Sequence, residues 1–234
     1  APGAAFFVDW SSDGQRILRP QMSGGRRRRG IQRIDWQAAD AGDSAKPFLE
    51  LPLAAMTASL APNQRLLAVG LRGDVMVRPL DGDTTLVPIA VTGANEMTPR
   101  FSPDGRWIAY ASDESGRFEV YVKPYPGPGP RLQVSDGGGG GPVWAKDGKR
   151  LFYRNGRVMI AADLSGSGAL TVARRQQLFA GDFYASAFYQ QAAYDVAPDG
   201  HHFVMARNVY ATGAELQVWS GWLPELEKRM AGAR

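Results

Sequence analysis

Side chains that break bonds need a nucleophile, a base and a group to orient the base, and this 234-residue chain is poor in all three. Its two histidines, His201 and His202, are adjacent and follow a Pro-Asp-Gly turn. Adjacent strand residues point to opposite faces, so the pair is badly placed to share one metal. There is no cysteine, hence no thiolate, no disulfide and no zinc-cysteine site, and no G-x-S-x-G elbow. No segment has the D-x-[DN]-x-[DN]-G spacing of a calcium loop, and "DGDTT" (81–85) reads as a hairpin turn. The five glycines Gly137 to Gly141 lack the following helix that a phosphate cradle requires, and read as a flexible connection, as does "DLSGSGAL" from Asp163. The expectation is a protein that is not an enzyme, with no catalytic residue, no metal and no cofactor.

Charge points to surfaces instead. The net charge of +4 comes from one run, Arg26, Arg27, Arg28 and Arg29, without which the balance is zero. A nucleic-acid binder spreads positive charge along a groove with aromatic residues between, so no nucleic-acid partner is expected. The arginine run reads as a solvated hairpin tip or a contact for an anionic partner. The aromatics Tyr184, Phe188 and Tyr189 would either anchor a protein partner or pack over the last repeat. At 44% hydrophobic and 21% charged the chain folds, yet no window reaches the roughly 20 apolar residues of a membrane span. The opening "APGAAFF" has neither an initiator Met nor a basic n-region, which implies a processed or excerpted chain.

The elements that would position such side chains are repeats. Five turns align: "WSSDGQRIL" from Trp10, "LAPNQRLLA" from Leu60, "FSPDGRWIA" from Phe101, "WAKDGKRLF" from Trp144 and "VAPDGHHFV" from Val196. Gly14, Gln64, Gly105, Gly148 and Gly200 thus recur every 41 to 52 residues, the length of one four-stranded propeller blade. Pro103 presets φ for the turn, Asp104 suits its next position, and Gly105 supplies the positive φ that rejoins the hairpin. A third strand repeats as acid, Val, x, Val, base, Pro in "DVMVRP" from Asp74 and "EVYVKP" from Glu119, with weaker copies from Arg157 and Glu215. Fourth strands are expected near residues 46–51, 84–91, 130–135 and 175–181, and the last unit shows only three. The fold class is all-β: a propeller of four-stranded antiparallel blades, with units at about 6–52, 55–93, 97–136, 140–182 and 188–222. A short C-terminal helix is expected in 223–234. Five blades would close irregularly, leave a gap that a partner covers, or form part of a six- to eight-bladed ring.

The repeat alignment brings out one constellation. Four residues before the turn Asp or Asn stand Asp9, Ser59, Arg100, Val143 and Asp195, on the strands nearest a propeller axis. Asp9, Arg100 and Asp195 are therefore expected to converge on the channel, holding a small polar ligand or one another.

"SPDGRWIAYASDESGRFEVYVKPYPG", the units "VWAKDGKRLFYR" and "YDVAPDGHHFV", and the ending "VWSGWLPELEKR" resemble the TolB-like propeller repeats in the C-terminal sensor region of bacterial membrane-anchored serine/threonine kinases. The likeness covers nearly the whole chain, and no kinase motif accompanies it. It implies a non-catalytic module that binds a protein or ligand outside the cytoplasm, in the periplasm or another extracytoplasmic space. Such a module would act as a sensor, a scaffold or an extrinsic subunit of a membrane-associated assembly. The alternative is the propeller of a hydrolase, either a prolyl-oligopeptidase-like filter domain or a lactonase-like metal-dependent enzyme.

Overall fold

A computed structural model describes residues 9–11, 14–22, 31–38, 45–166, 168–183, 192–209 and 213–219. They form five antiparallel sheets, each built from strands consecutive in sequence. The first blade holds β1 (Asp9–Trp10), β2 (Arg16–Met22), β3 (Ile31–Ala38) and β4 (Lys46–Ala55). The second holds β5 (Thr57–Leu60), β6 (Leu66–Leu71), β7 (Asp74–Pro79) and β8 (Val87–Ala90). The third comprises β9 (Glu96–Phe101), β10 (Trp107–Ser112), β11 (Glu119–Pro124) and β12 (Leu132–Gln133). The fourth comprises β13 (Gly140–Trp144), β14 (Arg150–Asn155), β15 (Val158–Ser165) and β16 (Thr171–Ala180). The fifth has three described strands, β17 (Tyr194–Val196), β18 (Phe203–Val209) and β19 (Gly213–Trp219). Among the described residues there is no helix, and so none long and apolar enough to cross a membrane. The tetra-arginine run, Tyr184, Phe188, Tyr189 and the helix expected in 223–234 lie outside the described residues.

The five repeat turns share one hydrogen-bond pattern. The N–H groups of Gly14, Gln64, Gly105, Gly148 and Gly200 each donate to the carbonyl three residues back, at 2.8 to 2.9 Å. The N–H groups of Ser11, Ala61, Ser102, Ala145 and Ala197 each donate to the carbonyl five residues on, also at 2.8 to 2.9 Å. Asn63, Asp104, Asp147 and Asp199 fix the turn further, each accepting through Oδ1 the N–H two residues on. Gln64 takes the glycine's backbone place at φ 56°, against 69° to 71° at the four glycines. That conformation costs a residue with a Cβ about 1 kcal/mol, which the repeated bonds offset.

Between successive blades lie four apolar clusters, centred on Leu18 and Leu67, on Ile108 and Tyr110, on Leu151 and Tyr153, and on Phe152 and Phe203. A cation bridges three of these seams. Arg78 Nη1 reaches Glu50 O of the first blade at 2.7 Å, and Lys123 Nζ reaches Ile89 O of the second at 2.6 Å. These two are the base of the repeated third-strand motif, so in both copies that cation turns back onto the outer strand of the preceding blade. In the fourth blade that position is Ala162; its cross-strand neighbour Arg175 supplies the cation instead, with Nε 2.6 Å from Val134 O.

Three local readings change. The third strand of the fourth blade starts at Val158, paired with Asn155 as Glu119 is with Ser112, one residue later than the motif copy from Arg157. Arg157 is consumed by the tight turn at Gly156, whose φ is 56°. The glycine run is a packed crossing and not slack chain: Gly138 N–H donates to Glu119 Oε1 at 2.8 Å, and a Cβ on Gly139 would lie 2.7 Å from that of Ser135. Gly140 and Gly141 already belong to β13. The connector read from Asp163 is shorter than expected, because β15 runs on to Ser165.

Candidate recognition site at the channel

The first strand of every blade borders one cavity of about 310 Å³. Asp9, Ser59, Arg100, Val143 and Asp195, the five residues of the alignment column, all line it. Pro103 of a repeat turn lines it too, so the cavity lies at the end of the channel where those turns sit. The inner strands are stitched in sequence around it. Leu60 N–H donates to Asp9 Oδ2 at 2.9 Å, and Thr98 N–H to Thr57 Oγ1 at 3.2 Å. Trp144 Nε1–H donates to Arg100 O at 3.1 Å, and the Tyr194 hydroxyl to Gly141 O at 2.8 Å. Burial holds the Tyr194 phenol well above its ordinary pKa of 10, so it remains a neutral donor.

The three charged side chains differ in how far they are committed. Asp9 is tied down: Oδ1 accepts Trp10 N–H at 3.0 Å, Oδ2 accepts the Leu60 amide, and Arg100 Nη1 stands 3.8 Å away. Arg100 makes only that long ion pair, too long for a hydrogen bond, and its guanidinium donates to no described group. Asp195 accepts the N–H of the next residue, Val196, at 2.8 Å, and its carboxylate has no described cation partner. The constellation is therefore one anchored carboxylate, one guanidinium with open donors and one open carboxylate, in a cavity rather than in a closed ion triad.

Aromatic and strained residues complete the cavity. Trp10 is 51% exposed at its edge, while Phe101, Trp144 and Tyr194 form walls. Trp10, Phe101 and Trp144 each follow the channel residue of their repeat, so the next alignment column would have found them, whereas Tyr194 precedes Asp195 and stands outside that column. Thr98 is a buried, β-branched residue at φ 54°, with its Oγ1 unpartnered among the described residues. Gly141, two residues before Val143 as Thr98 is two before Arg100, has φ 62°. Both sit at breaks in strand register, where the inner strand carries a bulge. The histidine pair behaves as turn chemistry: His202 contacts the Asp199 carboxylate through Nδ1, and the N–H groups of His201 and His202 donate to Asp199 Oδ1 at 2.8 and 3.2 Å.

No family model matches this sequence, and no curated protein matches it either. Solved structures do. TolB from Acinetobacter baumannii superposes with a TM-score of 0.65 at 16% identity, covering 93% of this chain and 52% of that one. The present chain thus spans about half the length of that relative. A TolB structure from Agrobacterium tumefaciens gives a TM-score of 0.66 at 15% identity, covering 95% of this chain and 79% of that one. Hydrazine synthase from Kuenenia stuttgartiensis gives 0.58 at 13% identity, covering 92% and 70%. At such identities the likeness speaks for the fold alone: this chain has the TolB-like β-propeller fold.

Proposed function

We propose that this chain is a non-catalytic recognition propeller that displays its channel end to a protein or ligand. It would serve outside the cytoplasm, as the sensor end of a signalling protein or as an extrinsic subunit of a membrane-associated assembly. One observation carries the reading: charged side chains from three separate blades meet in a cavity, with an arginine and a carboxylate left open and a tryptophan 51% exposed beside them. The three side chains stay in contact with water, Arg100 at 29% and Asp9 at 24% exposed and Asp195 on the surface, so a ligand can reach the guanidinium and the Asp195 carboxylate.

A hydrolase propeller is the second reading, and one protein of similar fold, hydrazine synthase, is an enzyme. Native purification separates the two. The recognition reading expects companions whose recovery falls when Trp10 and Arg100 are replaced by alanine. A strictly solitary, ligand-free protein overturns it, and ester or lactone hydrolysis abolished by a chelator favours the enzyme.

A further inference from the structure

The cavity's charge pattern narrows what it would hold. Among the described lining residues Arg100 is the only cation, and Asp9 and Asp195 are the only anions. A dianion such as a phosphate monoester would gain one guanidinium and face two carboxylates. A simple amine would gain Asp195 and face the arginine. Only a ligand carrying both signs answers both open groups: a carboxylate matches the planar fork of the guanidinium, and an ammonium matches the open Asp195 carboxylate. The about 310 Å³ volume is at the small end for small-molecule sites, and the Trp10 and Trp144 rings offer flat apolar walls to a side chain.

We infer that the channel cavity is a site for a free α-amino acid, carboxylate on Arg100, ammonium on Asp195 and an apolar side chain against Trp10 and Trp144. The inference deepens the recognition reading and rests on it. Asp9 serves as the positioning group: held by the Leu60 amide, it keeps the guanidinium in the cavity without taking its donors. The carboxylate of a peptide C-terminus has half of this chemistry, so the test must tell the two sources apart.

Calorimetric titration of the full chain with each of the twenty free amino acids, L-phenylalanine first, tests the assignment. Saturable binding of L-phenylalanine is expected. L-Phenylalaninamide, lacking the carboxylate, and N-acetyl-L-phenylalanine, lacking the ammonium and resembling a chain terminus, should each bind at least tenfold more weakly. Arg100→Gln should abolish binding, and Asp195→Asn should weaken L-phenylalanine at least tenfold while leaving the N-acetyl compound unchanged. Unaltered urea unfolding midpoints would show that both variants are folded. Absence of saturable binding by all twenty amino acids overturns the inference, as does unchanged affinity in Arg100→Gln. An N-acetyl compound that binds as well as the free amino acid also overturns it, in favour of a chain terminus. If companions still co-purify through Trp10 and Arg100 while no amino acid binds, this inference falls and the broader reading stands.

Discussion

The third and first blades place different chemistry on the same backbone. On the face that the third blade turns to its predecessor, Tyr110 and Tyr121 pair across β10 and β11 with ring centroids 5.8 Å apart, 1% and 3% exposed. The equivalent pair in the first blade is Arg19 and Asp35. There Arg19 Nη1 donates to Gln37 Oε1 at 2.9 Å, Gln21 Nε2 to Asp35 Oδ2 at 2.9 Å, and Arg33 Nε to Asp35 Oδ1 at 2.7 Å. One face is a blade seam, and the other satisfies its polar groups within its own sheet. Asp35 is buried beneath Arg33 and Gln21, while Arg19 is exposed, so an apolar neighbour laid on this face would take the Arg19 guanidinium out of water, and the face suits water or a polar partner there. The lesson is that stability resides in the seams between blades, while the blade fold itself tolerates either face.

The comparison breaks most visibly under truncation. Tyr110→Ala should lower the unfolding free energy by about 3 to 5 kcal/mol, the usual cost of deleting a buried aromatic. Arg19→Ala at the equivalent position should cost under about 1 kcal/mol. Urea unfolding with unchanged m-values checks both, and equal losses would contradict the asymmetry.

The seam cations come next. Arg78→Met and Lys123→Met should each cost about 1.5 to 3 kcal/mol, as for hydrogen bonds to charged groups, whereas Gln37→Ala, which shares their register position, should cost under about 0.5 kcal/mol. The same unfolding curves decide it, and a costly Gln37→Ala would show the first blade to be clamped like the others. Within the inner strands, Thr98→Gly should stabilise by about 1 kcal/mol by relieving positive φ and removing an unpartnered hydroxyl. Gly141→Thr should destabilise, read as opposite shifts in melting temperature.

The smallest effect is electrostatic. The Asn95 N–H and Nδ2 donate to the Asp113 carboxylate at 2.8 and 2.7 Å and hold its pKa below the usual aspartate value, against a small opposing effect of burial. A carboxyl depressed in the folded state adds stability above its unfolded pKa of about 3.9 and loses it as pH falls through the lower folded value. Asp113→Asn should therefore flatten the acid limb of a stability–pH curve below about pH 4, by under about 0.5 kcal/mol because the group is exposed. An unchanged limb would contradict it.

What the sequence displayed was what local chemistry dictates. Asp-Gly turns and the acid-Val-x-Val-base-Pro strand announce themselves because a few neighbouring residues set φ and strand period. Gln64 was recognisable as a stand-in for glycine because the rest of its turn was intact. The convergence of Asp9, Arg100 and Asp195 on one cavity followed from repeat spacing, since equivalent positions on radial strands face one axis. Long-range packing was not legible. Nothing local shows that Arg175 substitutes for the cation missing at Ala162, that Ser135 and Tyr153 crowd Gly139, or that Trp144 reaches the Arg100 carbonyl from the next blade. The one-residue slip at Val158 arose because the two-residue turn absorbed a residue that the motif counted as strand.

The central claim is that recognition happens at the channel end formed by the inner strands. A photo-cross-linking amino acid placed at Trp10 in the protein's host, compared with one at Arg174 on outer strand β16, tests it most directly by mass spectrometry of the adducts. Adducts to a partner or ligand at Trp10 and none at Arg174 are expected. Adducts at Arg174 alone, or the same set at both positions, would contradict the account.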